Sequence, residues 1–324
     1  MASLRGAGRS LKRLVGRAGG PAARLDGGDP LAPLAKQAAE HGDWPTVRQL
    51  LEERPEDEDR TGLLWAVSEA AGVEQWIPGV IEAEKDSALP VLVAGVRHVS
   101  WGWEARSAAR ASHVSREQFQ VFHERLRVAE EHLYEAAERE PGWASPWYAL
   151  QVSGRGLEVG QEVARRRFDA TVRRYPHHLG AHQQQLQQLC AKWSGSHEEM
   201  HAFARRSMLD APGGSLLGQL VAIAHVEHWL HLESGEDAAY IGTPEVNDSL
   251  REALERSLLH PDCAFGTGWV QTANTFAMAF ALAGEQDSAR DCFDLVDGSV
   301  SEFPWSYLGG DPVEAFRKYR SAAR

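Results

Sequence analysis

Cysteine is scarce in this chain: three in 324 residues, Cys190, Cys263 and Cys292, an odd number set far apart. A disulfide framework needs an even set, and a thiolate zinc site needs closely paired thiols, so neither is indicated. No apolar run approaches the ~20 residues that span a bilayer. The basic N-terminal residues are not followed by the apolar core of a secretory leader, and with so few cysteines a cytoplasmic location is expected. The phosphate loop G-x-x-x-x-G-K-[ST] is missing, as is the nucleophile elbow G-x-S-x-G. Gly213-Gly214 and Gly266-Thr267-Gly268 then read as turns, and no cofactor is expected. Lysine is also rare, five of 34 basic residues. That arginine bias, with abundant alanine and glycine, is expected of a GC-rich bacterial genome and carries no functional meaning.

Charge is unevenly placed. Residues 1–25 hold Arg5, Arg9, Lys12, Arg13, Arg17 and Arg24 with no acid, a charge of +6 that leaves −18 on the rest of a chain whose net charge is −12. An acidic body lacks the clustered cations that phosphate contacts need, so nucleic acid is not an expected partner. Residues 1–28, rich in Gly, Ala and Arg, read as a disordered basic tail. Leu4, Leu11, Leu14 and Val15 could line a short helix at a membrane surface, but Gly6, Gly8 and Gly16 weaken it, and no membrane attachment is expected.

What the chain does have is a recurring step. Ala129-x3-Leu133-x2-Ala136-x4-Pro141 is followed by Ala164-x3-Phe168-x2-Thr171-x4-Pro176 and by Met200-x3-Ala204-x2-Ser207-x4-Pro212, with the prolines 35 and 36 residues apart. Each is a helix closed by proline, at a period that means stacked helical hairpins. Ala273-x2-Phe276-Ala277-x2-Phe280, Gly284 and Ala289-x3-Phe293 repeat the grammar near the C-terminus. So do Leu31-x2-Leu34-Ala35-x2-Ala38, Gly42 and Val47-x3-Leu51. Small residues let the two helices of a hairpin approach, and large ones fill the seam between hairpins.

Element boundaries follow from the same signals. Asp29 should cap a first helix with Pro30 at its first position, and His41-Gly42-Asp43-Trp44 should end it. Residues 60–112 read as helices punctuated by Gly72, Pro78, Pro90 and Trp101-Gly102-Trp103. Ser115 opens a long helix that closes before Pro141. Asp311 caps a last helix with Pro312 at its first position. Several of the 11 tryptophans stand at hairpin ends, as Trp44, Trp143, Trp147, Trp193 and Trp305 do, where a large flat group seals the gap between units.

On these motifs the chain resembles the tetratricopeptide-repeat superfamily over most of residues 29–300. It departs from the pattern at Gln151 and Gly154, in unit lengths of 35 and 36, and in about ten extra residues around Ser234–Gly242 that interrupt the series. Lys192 to Met200 and Ser153 to Leu157 also look like a bacterial helical-repeat family. The resemblance implies an all-α right-handed solenoid: a tail over 1–28, a repeat domain over 29–310 and a capping helix over 311–324. It implies a protein–protein interaction module, a scaffold or adaptor without chemistry of its own, whose concave face is lined by the first helix of each hairpin. Repeat register puts Tyr148, Arg155, Gln183, Gln187, Gln271 and Asn274 on that face as partner-binding residues. The acidic body favours a basic protein or peptide partner, with residues 1–25 of this chain among the candidates. The family's carboxylate clamp of paired Lys and Asn is not recognisable, so chaperone-tail binding is not expected.

One motif points elsewhere. His197-Glu198-Glu199-Met200-His201 satisfies H-E-x-x-H, in which two histidines one turn apart bind zinc and the glutamate activates water. Glu227, 26 residues on, would come from an antiparallel helix that also carries His225 and His228. A zinc-dependent hydrolase, with His197, His201 and Glu227 as ligands and Glu198 as base, is the alternative function. The same letters also spell a helix start: Ser196 and Glu199 form a capping box, Glu198 and Glu199 suit the positive end of the dipole, and His197 becomes the first helical residue. Met200, Ala204 and Ser207 already belong to the repeat, and no strand precedes the motif. His225, His228 and His231 stand at steps of three and drift around their helix, which suits buried structural histidines, and Glu227 with His231 suits a local charge pair. No metal ligand and no catalytic residue is therefore assigned.

Overall fold

Apolar residues at three- and four-residue steps become α-helix along the chain. The structure, a computed structural model, describes residues 23–25, 28–54, 58–106, 114–193 and 195–323. Among them are 17 α-helices and a single strand pair two residues long, so the protein is all-α. No helix among the described residues is long and apolar enough to cross a membrane. The helices gather into two compact units, one spanning residues 29–188 and the other from residue 189 onward, the second joined by the described N-terminal residues 23–25 and 28. The repeat period did not mark that division.

In the first unit α1 (Ala32–Glu40) and α2 (Trp44–Glu52) form the first hairpin. There follow α3 (Glu58–Ser68), α4 (Val73–Ala83), α5 (Leu89–Arg106), α6 (Arg116–Arg139), α7 (Ser145–Gly156), α8 (Gln161–Val172) and α9 (Leu179–Gln188). Ser115 caps α6 with a full box: its hydroxyl accepts from Gln118 N–H at 3.2 Å, and the Gln118 side chain accepts from Ser115 N–H at 3.0 Å. α5 and α6 lie antiparallel and close. A Cβ on Gly95 would stand 2.8 Å from the Leu133 side chain, and one on Gly102 would stand 3.1 Å from Leu126. Ala129, Leu133 and Ala136, the first occurrence of the repeated step, are all fully buried.

Two buried arginines are each paired with carboxylates, of which Glu104 is half exposed. Arg97 on α5 donates through Nε to Glu74 at 2.7 Å, and through Nη1 to Glu104 at 2.7 Å and to the Ser68 carbonyl at 2.8 Å, tying α3, α4 and α5 together. Arg167 on α8 donates to both oxygens of Glu130 at 2.8 and 2.9 Å and to the Leu150 carbonyl at 2.6 Å, tying α8 to α6 and α7.

The second unit begins with a 3-10 turn, Ala191–Trp193. Its helices are α10 (His197–Asp210), α11 (Gln219–His231), α12 (Glu236–Ile241), α13 (Pro244–Arg256), α14 (Trp269–Leu282), α15 (Gln286–Val296), α16 (Glu302–Trp305) and α17 (Pro312–Ala322). α14 is the central helix, buried from Thr272 to Phe280 on every side. Ala289 and Phe293 of α15 pack beneath it, as the repeated step requires. Asp311 caps α17 as expected, its carboxylate accepting from Val313 and Glu314 N–H at 2.7 and 3.1 Å. Residues Arg24–Leu25, β1, pair in parallel with Ser299–Val300, β2.

Three expectations are corrected. The first helix starts at Ala32 with Pro33 in its first turn, not at Pro30, because the Asp29 carboxylate takes the Leu31 N–H at 2.9 Å in a preceding turn. Pro78 and Trp101-Gly102-Trp103 lie inside helices, not between them. Proline removes only one helical hydrogen bond, and the burial of Val73 and Ile77 beside it outweighs that loss. Gly102 permits the close seam with α6 instead of ending α5. The predicted tail is structured at residues 24–25; residues 1–22, 26 and 27, including the weighed membrane helix, lie outside the described residues.

Removing buried Arg97 strands the largely buried Glu74 carboxylate and leaves the Ser68 carbonyl without its donor. Arg97→Met is expected to lower unfolding stability by about 3–5 kcal/mol. A fall in the urea midpoint with an unchanged slope would register it, and a midpoint equal to that of the parent chain would contradict it.

Candidate functional site

Of the six residues placed on the binding face, four lie in the first unit. Tyr148 on α7 is half-buried, its ring edge-on to Trp65 at 5.9 Å between centroids and 4.6 Å from His178. Gly180 on α9 makes room for it, since a Cβ there would lie 2.8 Å from the phenol oxygen. Gln183 and Gln187 follow Gly180 by three and seven residues, so all three share one side of α9. Both glutamines are partly exposed. Arg155, near the end of α7, holds its guanidinium 5.2 Å from the Trp103 ring centroid. Tyr148 and the glutamine side of α9 are thus brought together.

The other two lie in the second unit, on α14. Gln271 is partly exposed. Asn274 is a correction: it is fully buried, and its amide donates to the Val270 and Ser299 carbonyls at 2.8 and 3.0 Å while accepting from Trp305 Nε1 at 2.7 Å. Its side chain joins α14, β2 and α16, so it is not a binding residue. Register placed it on the first helix of a hairpin but carried no sign that C-terminal elements cover that helix.

The H-E-x-x-H segment starts α10 as the capping reading required. The Ser196 hydroxyl accepts from Glu199 N–H at 3.1 Å. The box is only half made, because the Glu199 carboxylate takes the Ser196 hydroxyl proton at 2.9 Å and not the backbone N–H. Glu227 does not join His197 and His201. Lys192 Nζ donates to its two carboxylate oxygens at 3.0 and 2.8 Å, and the Tyr307 hydroxyl donates to it at 2.6 Å. The hydrolase ligand set is therefore not assembled. Among the described residues no group of three or more His, Cys, Asp or Glu side chains is arranged to hold a metal ion.

Instead the histidines meet one another. His201 Nε2 on α10 lies 3.2 Å from His228 Nδ1 on α11 and 3.2 Å from the Tyr240 hydroxyl on α12. That hydroxyl lies 2.8 Å from His225 Nδ1, and His225 Nε2 lies 3.1 Å from Ser249 Oγ on α13. His197 stacks flat on His228, with centroids 3.9 Å apart and planes 11° apart, and stands edge-on to His231 at 5.0 Å. With every ring neutral, two proton orders satisfy the chain His201–Tyr240–His225–Ser249, running in opposite directions.

Burial first, and then the like charge of neighbouring imidazoles, holds these rings neutral. His201 and His228 are pushed down to about 4 and His225 to about 3, and His197 is lowered for the same two reasons. Burial raises the Tyr240 phenol. Sequence reasoning found all five histidines but missed Tyr240, which falls in the Ser234–Gly242 segment that interrupts the repeated spacing, and Ser249, which reaches the cluster from α13.

No protein-family model matches the chain, and no curated protein matches it.

Neutral buried histidines set a direction for pH dependence. Their folded pKa values lie below the unfolded value of about 6.5, so the unfolded chain binds more protons between the two. Their contribution is complete above pH ~6.5 and is lost as pH falls toward 4. Urea midpoints are expected to drop from pH 7.5 to pH 5, and to drop less in His225→Gln. Equal pH slopes for the two proteins would refute the assignment.

Proposed function

We propose that this chain is a protein–protein interaction module, a scaffold or adaptor of tetratricopeptide-like build, in which stacked antiparallel hairpins form a right-handed solenoid and the first helices receive an extended partner segment. The observation that carries this reading is the row on α7 and α9. Half-buried Tyr148 lies beside a glycine that admits its ring, and partly exposed Gln183 and Gln187 continue along the same side. Amide side chains of this kind match the hydrogen-bonding groups of a peptide backbone. An aromatic ring among them supplies the apolar contact that typically anchors such interfaces. The burial of Ala129, Leu133, Ala136, Phe168, Thr171, Met200, Ala204 and Ser207 supports the hairpin register on which the reading rests.

The charge of −18 outside residues 1–25 favours a basic partner segment, because opposite potentials speed encounter and suppress wrong partners. The hydrolase reading has no comparable support, since Glu227 is engaged by Lys192 and Tyr307. A scaffold of this kind acts through what it holds, in a cytoplasmic setting.

The test is competitive. A protein captured by the immobilised chain is identified by mass spectrometry, and its affinity is remeasured with the Tyr148→Ala, Gln183→Ala double variant. Loss of an aromatic anchor and a neighbouring amide should weaken binding by about tenfold or more. The same affinity for a double variant whose helical spectrum is unchanged would move the binding site elsewhere. Capture that weakens at high salt would agree with a basic segment.

A further inference from the structure

The helix α12 and its flanking glycines are the segment that interrupts the repeat, and little holds it down. Glu236, Ala238 and Ala239 are exposed, while Ile241 is buried and Tyr240 half-buried. Gly235, before the helix, has a φ of 100°, and Gly242 follows its last residue. Ile241 supplies the buried apolar contact. Tyr240 supplies the polar one, with its ring over His228 at 4.0 Å between centroids and its hydroxyl between His201 and His225.

We propose that α12 is a proton-released flap, latched shut by the Tyr240 hydroxyl seated between the neutral imidazoles of His201 and His225, and opened when those imidazoles take up protons.

The hydrogen-bond arithmetic is specific. A first proton can be shared along the His201–Tyr240–His225–Ser249 chain with every partner still satisfied. A second, on the other side of Tyr240, turns both nitrogens facing its hydroxyl into donors and leaves that O–H without an acceptor. Charge acts in the same direction, because the surrounding elements provide no anion aimed at the rings. On α10, Glu198 and Glu199 are exposed at the helix start and Arg205 pairs with Glu252. On α11, Glu227 is held by Lys192 and Tyr307, and the remaining ionisable neighbours are His228 and His231. On α12, Glu236 is exposed, and the Asp237 carboxylate accepts from the N–H groups of Gly235 and Ala238. On α13, Arg251 pairs with Asp248 and Glu285, Glu252 with Arg205, and Glu245 is exposed. α14, packed against α11 and α12, carries no charged residue. The stacked His197 and His228 add positive charge as they titrate, so each further proton is resisted only while the flap stays closed.

The lowered proton affinity of the closed cluster fixes the sign. Opening exposes the rings to water, where they bind protons near pH 6.5, so acid favours the open form. The open-to-closed ratio should rise by up to about tenfold per pH unit for each proton taken up below pH 6.5. Opening would uncover Ile241 and the imidazoles of α10 and α11, a new surface that is basic when exposed.

Backbone hydrogen exchange read by mass spectrometry tests this on the full chain. Peptides covering residues 236–242 are followed from pH 7.5 to pH 5, with intrinsic exchange rates corrected. Protection there is expected to fall by at least about tenfold while α14 stays protected. Tyr240→Phe keeps the ring on His228 but removes the latch, so it should exchange faster at pH 7.5 and depend less on pH. His225→Gln should flatten the dependence while leaving α14 protected. Protection of 236–242 that does not change with pH would overturn the proposal, as would loss occurring equally across the unit. Stoichiometric Zn²⁺ uptake that protects the same peptides at pH 7.5 would also overturn it, by giving the rings to a metal in place of a proton.

Discussion

Helices in this protein approach one another as closely as their smallest facing residues allow, and everything else is arranged around those seams. Gly95 and Gly102 on α5 face Leu133 and Leu126 on α6 at distances that leave no space for a Cβ. Gly156 on α7 stands against Phe122 and Leu126 in the same way, with a Cβ there falling 2.6 and 2.5 Å from their side chains. Such contacts carry the dispersion and burial energy of the first unit, and they forbid polar groups at the seams unless each is fully paired. Arg97 enters the interior with carboxylates and a backbone carbonyl to receive its protons, and Arg167 does the same through both terminal nitrogens while its Nε stays unpaired.

The second unit meets the same constraint with neutral groups. Gln219 and Thr275 exchange a hydrogen bond at 2.8 Å, Thr272 donates to Gln219 at 3.2 Å, and Asn274 receives Trp305 at 2.7 Å, all within the buried surroundings of α14. The histidine cluster follows the same logic under more strain, because imidazoles remain tolerable inside only while they stay uncharged. The short helix α12, with Tyr240 set among these rings, is where that tolerance is thinnest.

Recurring helices were legible from local spacing. Ala129, Leu133 and Ala136, or Ala273, Phe276 and Phe280, declare a buried stripe because the helical period places them on one face whatever lies opposite. Caps were legible for the same reason: Ser115 ahead of α6 and Asp311 with Pro312 act within one turn. Pro78 and Trp101-Gly102-Trp103 misled because proline and glycine also occur inside helices when a neighbour makes the position worth keeping. Asn274 misled because helical spacing places it on α14 but its solvent access depended on β2 and α16, elements 25 and 31 residues away. The H-E-x-x-H letters suggested chemistry, yet Glu227 was claimed by Lys192 and Tyr307, 35 and 80 residues distant.

The amino-acid order alone determined that this chain is helical, where several of its helices start or stop, and which side of those is apolar, since those properties arise within a few turns. Tertiary structure alone decided how the helices divide into two units, which polar residues are covered, and which partner each ionisable side chain finds. Those outcomes depend on segments far apart in the chain arriving at one place, and the helical period carries no record of what they will meet.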